Sequence, residues 1–448
     1  MTDIAIRYDK SARIGAVGPS VWAKLGPEDW FTDYKIVVAN AREYDRQFVV
    51  DLGLGVDDFE RATTEEIVAT PQFITIANEE LPEYRFIAYK AIEIPGGMER
   101  DRFITNDSQF TRFEDKKFFR QTFTGRLPIP EHEIIAYSDL VTRTPDETFE
   151  TYVARFGAPL VLQDSLGGGG RGTHIIRTTE DMARALEILD RERKSEEIII
   201  SRFVTGKERS IQVCLTKDGT YKGPLQQQLI RNPELLNPLG RGGMFFCGGK
   251  FLAYESAVVE AQIAAAVDIA AEELRQAGYR GIFGIDFLLD ESGRIWTIEI
   301  NARTTGLLPL LNEQASQTPL YLLHVLELAG IDYETEIPQS GGVSDVMGPQ
   351  SFVVLFNQRD ARAYFDETIK TGNYVWQNNE LVRINEDGRW SEGADCMIQL
   401  FASKDYRAKP NLKLCNVFLR GEGFDDAGEL DPQSSAIIAY LKEHILEA

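Results

Sequence analysis

The stretch GIDFLLDESGRIWTIEINAR (284–303) decides the fold. Two apolar, β-branched runs flank Asp290-Glu291-Ser292-Gly293, so they read as a hairpin. If Leu289 pairs with Arg294, Asp286 lies opposite Thr297 and Gly284 opposite Glu299. Strand sides alternate with a period of two. Phe283, Ile285 and Phe287 then share a core face with Trp296, Ile298 and Ile300. The other face carries Asp286, Glu299 and Asn301 among Ile282, Leu288 and Ile295. Two carboxylates brought that close repel unless a cation lies between them. Oxygen donors without His or Cys suit Mg²⁺ or Mn²⁺, ions that bridge nucleotide phosphates. A solvated strand face is the alternative, but it leaves Asn301-Ala302-Arg303-Thr304-Thr305-Gly306, an amide, a cation and a glycine at the strand end, unexplained.

Working outward, PLVLQ (159–163) and THIIR (173–177) read as strands around the glycine run 167–170, with Arg171 and Gly172 following. A dinucleotide-binding glycine loop needs a helix directly after it, and a strand follows here. The loop reads as a hairpin tip whose backbone N–H groups can approach an anion. A P-loop is excluded, because the glycines before Lys250 miss the spacing by one residue and no Ser or Thr follows. A kinase is excluded by the absence of HRD and DFG elements. EIIISRFV (197–204) and RSIQVCLT (209–216) are strands flanking TGKE. Residues 178–193 and 255–277 carry helical apolar spacing, Gly278 stops the second helix, and another is expected at about 433–446. Toward the N-terminus, residues 1–34 read as irregular, KIVVAN (35–40), FITIANE (73–79) and YRFIAYKAIE (84–93) as strands, and Thr63 with Glu66 as a capping box. PQSGGVSDVMGP (338–349) reads as a linker before further strands.

The 448 residues are 43% apolar and 26% charged, ordinary values for a globular chain. The net charge of −22 repels polyphosphate at long range, so no nucleic-acid partner is expected. No apolar run reaches the roughly 18 residues that span a bilayer, so no membrane partner is expected either. MTDIAIRYDK (1–10) lacks the apolar core of a secretory signal. The four cysteines and four histidines are scattered, with no zinc or disulfide pattern, and a reducing cytoplasm is the default.

Together these pieces resemble the ATP-grasp superfamily of carboxylate–amine ligases over about residues 110–330. The extra C-terminal domain and long N-terminal segment make the chain most similar to the pheganomycin-type peptide ligases. The resemblance implies an α/β chain with the α+β ATP-grasp fold. It divides into an N-terminal pre-grasp α/β domain (1–110), the ATP-grasp domain (111–335, lid subdomain about 130–205) and an additional C-terminal α+β domain (345–448). It further implies that Asp286, Glu299 and Asn301 hold two Mg²⁺ (or Mn²⁺) ions on the ATP phosphates. Asn301 and Arg303 would be catalytic, Arg303 clamping the transferred phosphoryl group or acyl phosphate. ATP would be bound by Lys116, Gln163, Gly168, Gly169, Gly170, Arg171 and Gly172, by Arg202, Phe203 and Val204 at the adenine edge, and by Glu208 at the ribose. Lys117 is the neighbour of the first phosphate lysine. Two positions depart from the family's pattern. Its second phosphate lysine is here Gln163, for which Arg171 or Lys116 would compensate, and the basic residue two before the metal aspartate is here Gly284. His174 reads as a packing residue of the lid strand and His324 as structural.

The implied activity is ATP-dependent amide-bond formation between small-molecule carboxylate and amine substrates, an amino acid or short peptide, with a homodimer as the assembly to test. A carboxylate–thiol ligase or carboxylase on the same fold is the first alternative, against which stand the lack of a biotinylation-type Met-Lys-Met and of a CoA-binding domain. A non-catalytic ATP-binding protein is the second.

Overall fold

Short β-branched runs that are buried on both faces build parallel sheets, and the N-terminal unit is one. The computed structural model describes residues 6–41, 44, 46–55, 63–168, 170, 172–237, 244–252, 255–313, 319–337 and 348–447. Strands β1 (Ile14–Gly18), β2 (Tyr34–Val38), β3 (Val49–Asp51), β4 (Arg85–Ile87) and β5 (Phe103–Ile104) form a five-stranded parallel sheet in the order β3-β2-β1-β4-β5. The central strand β1 thus comes from a segment expected to be irregular. FITIANE, expected as a strand, is helical: Pro71–Thr75 is followed by a π-helical turn at Ile76–Glu80. Thr70 caps that helix by accepting from the Phe73 N–H, and Pro71 sits in its first turn. These start signals outweigh the strand preference of the β-branched residues. The expected capping box is present, with Thr63 and Glu66 closing Thr64–Val68.

The middle of the chain forms two antiparallel sheets. Helix α1 (Lys116–Phe123) precedes β6 (His132–Ala136), α2 (Pro145–Phe156), β7 (Leu160–Asp164), β8 (Thr173–Ile176), α3 (Thr179–Glu192) and β9 (Glu197–Arg202). The four strands pair in the order β6-β9-β7-β8. Met182, Ala185, Leu186 and Leu189 of α3 bury against Leu160, Leu162, Ile198 and Ile200.

The second sheet begins with β10 (Lys207–Leu215), β11 (Thr220–Ile230) and β12 (Phe246–Phe251). Helix α4 (Ala257–Gln276), β13 (Gly281–Leu289), β14 (Ile295–Asn301) and α5 (Leu320–Ala329) follow. The face of α4 formed by Ile263, Val267, Ala270 and Leu274 covers Phe283, Ile285 and Phe287. The C-terminal strands β15 (Ser351–Phe356), β16 (Gly372–Gln377), β17 (Glu380–Asn385), β18 (Cys396–Leu400) and β19 (Lys413–Leu419) continue the same sheet. Its ten strands run β14-β13-β10-β11-β12-β15-β19-β18-β16-β17. The junction is β12 with β15, where Gly248 pairs with Val353 and Lys250 with Ser351. Sheet pairing therefore crosses the boundary expected near residue 345. Most of the expected linker, 338–347, lies outside the described residues. Helix α6 (Pro432–Glu443), capped by Asp431, matches the expected C-terminal helix.

Candidate active site

Two carboxylates meet across β13 and β14. Leu289 pairs with Ile295, not Arg294, and a β-bulge follows between Phe287 and Asp286. Asp286 consequently faces Glu299, and Gly284 faces Asn301. The bulge leaves Ile298 as the extra residue and exchanges the two sides of β14 at that point. Ile295 and Thr297 turn into the core, while Trp296 and Ile298, expected there, stay partly exposed.

The pair is held by neighbours rather than left to repel. Asn301 Nδ2 donates to Asp286 Oδ2 at 3.1 Å and to Glu299 Oε1 at 3.2 Å. Gln228 Nε2 donates to Asp286 Oδ1 at 2.6 Å. Lys116 Nζ lies 3.0 Å from Glu299 Oε2 and also donates to the Gly167 carbonyl. Burial first, and the facing Glu299 second, push the Asp286 carboxyl well above the usual carboxylate range. Burial acts on Glu299 in the same direction, but Lys116 and Asn301 hold it down, to about 2. One acid is thus biased to keep its proton and the other to stay charged, as expected for like charges that share a site.

Above the pair opens a cleft of about 220 Å³ between the two antiparallel sheets. Its walls include Lys116, Arg120, Gln163, Gly170, Arg202, Phe203, Val204, Glu208, Gln228, Met244, Ile298 and both acids. Most of the residues expected to bind nucleotide therefore share one cavity. Burial raises the Glu208 carboxyl above its usual range. The lid tip reaches across the cleft: Gly170 O accepts from the Met244 N–H at 3.1 Å. Gly170 has φ +78°, and a Cβ there would fall 1.7 Å from the Met244 carbonyl oxygen, so only glycine fits this contact. A Cβ at Gly168 would meet nothing within 4 Å, whereas one at Gly172 would fall 2.9 Å from the Asp164 Cβ. Gly169 and Arg171 lie outside the described residues, as does 238–243 of the second glycine cluster.

Arg303 sits beyond the cleft wall. Its Nε donates to Glu114 Oε2 at 3.0 Å, Nη1 to the Tyr89 hydroxyl at 2.9 Å and Nη2 to Asn301 Oδ1 at 3.1 Å. It ties the end of β14 to the N-terminal unit. Thr173 and Ile175 line the cleft and His174 between them does not, in keeping with a packing role. His324 is buried, its Nδ1 accepting from the Ile282 N–H at 2.9 Å.

Arg120 and Gln228 are two polar cleft residues that the sequence did not bring forward. Arg120 had one available signal, its i, i+4 spacing from Lys116 on a helix. Gln228 had none, because its approach to Asp286 depends on the pairing of β10, β11 and β13.

A family model described as an ATP-grasp domain matches residues 113–307. The [butirosin acyl-carrier protein]–L-glutamate ligase of Niallia circulans is 25% identical over 205 residues, 43% of this chain and 46% of that protein. The D-alanine–D-alanine ligase of Geobacter sulfurreducens is 25% identical over 156 residues, 35% of this chain and 46% of that protein. The chain spans just under half the length of each of these relatives. The biotin carboxylase domain of Hydrogenobacter thermophilus 2-oxoglutarate carboxylase, solved with MgADP, ADP and bicarbonate, superposes with a TM-score of 0.61 at 13% identity, covering 93% of this chain and 87% of that one. Such a likeness is one of fold. The chain has the ATP-grasp fold, and residues 113–307 form an ATP-grasp domain with ligase relatives at low identity.

Proposed function

We propose that this chain is an ATP-dependent ligase that joins a small-molecule carboxylate to an amine and releases ADP and phosphate. The observation that carries it is the facing pair Asp286–Glu299, bridged by Asn301 and flanked by Lys116 at the floor of the cleft. Among the described residues no three or more His, Cys, Asp or Glu side chains cluster as a metal cage. Two carboxylates and an amide nevertheless fit Mg²⁺, which keeps water and substrate phosphate in its coordination shell and needs only one or two protein carboxylates. Asp286, Glu299 and Asn301 would hold that ion, which would neutralise charge on the terminal phosphates of a nucleotide.

The chain's own groups would do the positioning. The backbone of Arg202 to Val204 would meet the adenine edge and Glu208 the ribose. Lys116 would meet phosphate. Arg303, beside Asn301 and the N-terminal unit, would hold the acyl end. A free carboxylate is a poor electrophile, since its leaving group is oxide. Its oxygen would attack the terminal phosphorus, ADP would leave, an amine would attack the acyl carbon, and phosphate would depart as the amine loses a proton. Charge neutralisation and alignment supply the acceleration of such a sequence. The acyl donor and the amine, an amino acid or short peptide, are the finer part of this proposal.

The test is ADP release in Mg²⁺ with pooled amino acids and short peptides, and mass spectrometry of the products. Amine-dependent ADP and phosphate with a new amide mass are expected. Release dependent on bicarbonate alone would make it a carboxylase, and release dependent on a thiol a thioester-forming ligase. Binding of ATP without turnover would make it a non-catalytic nucleotide binder.

A further inference from the structure

The cleft holds a buried cation that no carboxylate hydrogen-bonds among the described residues. Arg120 follows Lys116 by four residues on α1, so the two side chains leave the same helical face. Both line the cleft. Lys116 is committed to Glu299 at 3.0 Å. Arg120 is 2% exposed, and its partners are neutral: Nη2 donates to Gln163 Oε1 at 3.3 Å and Nη1 to the Ile298 carbonyl at 3.1 Å. Its Nε is buried with no hydrogen-bond partner among the described residues. Gln163 is itself oriented, with its Nε2 donating to Thr173 Oγ1 at 3.2 Å. Buried charges are ordinarily paired, because an unpaired one is costly to desolvate. Arg209, equally buried, meets Glu255 at 2.6 Å. Burial lowers the Arg120 guanidinium to about 10 against the opposing pull of the Glu299 charge nearby, which leaves it charged at neutral pH.

We propose that Arg120 is a nucleotide-binding residue whose guanidinium, steered by Gln163, takes the oxygens of the polyphosphate. This rests on the reading of the cleft as a nucleotide site. A guanidinium with a free N–H edge suits a phosphate, which accepts two parallel hydrogen bonds. The arrangement also explains why position 163 carries a neutral amide: a lysine there would face Arg120 as a second buried cation. The missing charge at 163 is supplied from α1, and neither Arg171 nor Lys116 has to stand in for it.

Titration calorimetry of MgATP and of adenosine against wild type, Arg120→Gln, Arg120→Lys and the double variant Arg120→Gln/Gln163→Lys tests this. Arg120→Gln should weaken MgATP binding about ten- to a hundredfold, the worth of a charge-assisted hydrogen bond, and leave adenosine binding unchanged. Arg120→Lys should recover part of the loss, and the double variant most of it. MgATP affinity unchanged in Arg120→Gln, or an equal loss for adenosine, would overturn the role of Arg120 while the cleft remained a nucleotide site. Wild type that binds neither ligand would overturn both. Should Arg120→Gln fail to fold, Gln163→Lys decides: it should melt lower than wild type without nucleotide and show the larger rise in Tm with MgADP. Equal rises would overturn the proposal.

Discussion

Arg389, 21% exposed at its side chain, and Arg120, 2% exposed, have opposite surroundings. Arg389 reaches Glu28 and Glu313 at 2.9 Å and Asp29 at 3.3 Å, and so pins the C-terminal part of the chain to the N-terminal unit and to the segment after β14. Arg120 meets one amide oxygen and one carbonyl. The acids show the same contrast: Glu313 accepts from Arg389 and from the Trp390 N–H, whereas Asp286 faces another carboxylate. The fold closes a charge cluster around Arg389, whereas in the cleft neither Arg120 nor Asp286 makes an ion pair among the described residues; their hydrogen-bond partners are neutral. Charges balanced by their neighbours hold the structure, and the proposed function assigns the cleft's remaining charges to phosphate and divalent cation.

The largest expected effect comes from removing the unbalanced acids. Asp286→Asn or Glu299→Gln should lower ADP formation by about a thousandfold or more, the scale of losing a principal electrostatic contributor. Melting temperature should hold or rise in Asp286→Asn, which keeps its hydrogen-bond partners, and fall in Glu299→Gln, which strands the buried Lys116. Near-normal ADP formation in either variant at millimolar Mg²⁺ would end the comparison. Next, Arg389→Met should cost about 3–5 kcal/mol in urea denaturation, because it strands buried carboxylates. Nucleotide affinity of the folded protein should stay the same, and a concurrent loss of affinity would blur the distinction between the two arginines.

His324 provides a third, smaller contrast as a buried group with a purely structural partner. Burial lowers it from 6.5 to about 4, so between those values the unfolded chain takes up a proton that the folded chain refuses. Stability is therefore full above pH 6.5 and falls as the pH drops toward 4, by roughly 3 kcal/mol in all. His324→Asn should flatten that slope in denaturation curves taken across the window; an unchanged slope would assign it to other groups. The smallest effect is expected from Gly170→Ala, which should weaken MgATP binding about tenfold or less by straining the lid contact, and move Tm little, since a positive φ costs alanine on the order of 1 kcal/mol. A large drop in Tm would mean that the lid tip holds the fold together.

How far these features were legible differs from one to the next. The hairpin of β13 and β14 was readable from alternation and its Ser-Gly turn, but its register was not. A bulge at Ile298 obeys no residue pattern, and together with the one-residue difference at the turn it moved the partner of Asp286 from Thr297 to Glu299. Asp286, Glu299 and Asn301 were read as neighbours and the structure brings them together, because local alternation suffices for that. β1 went unread because IGAVG offers few side chains to pattern, although it is buried throughout. FITIANE misled because β-branched composition was weighed above the Thr70–Pro71 helix start. The continuation of the large sheet through β12 and β15 joins strands some hundred residues apart, and nothing local signals such a pairing. Arg120 stayed hidden because an arginine on an amphipathic helix ordinarily lies in solvent; only the packing of α1 against β14 and the lid sheet buries it.

The most direct test of the cleft as a magnesium–nucleotide site is calorimetric titration of ADP into the protein with and without Mg²⁺, beside Asp286→Asn. Saturable binding that tightens when Mg²⁺ is added, with that gain lost in a normally folded Asp286→Asn, is the predicted result. Wild-type affinity indifferent to Mg²⁺, or an undiminished gain in the variant, would contradict it.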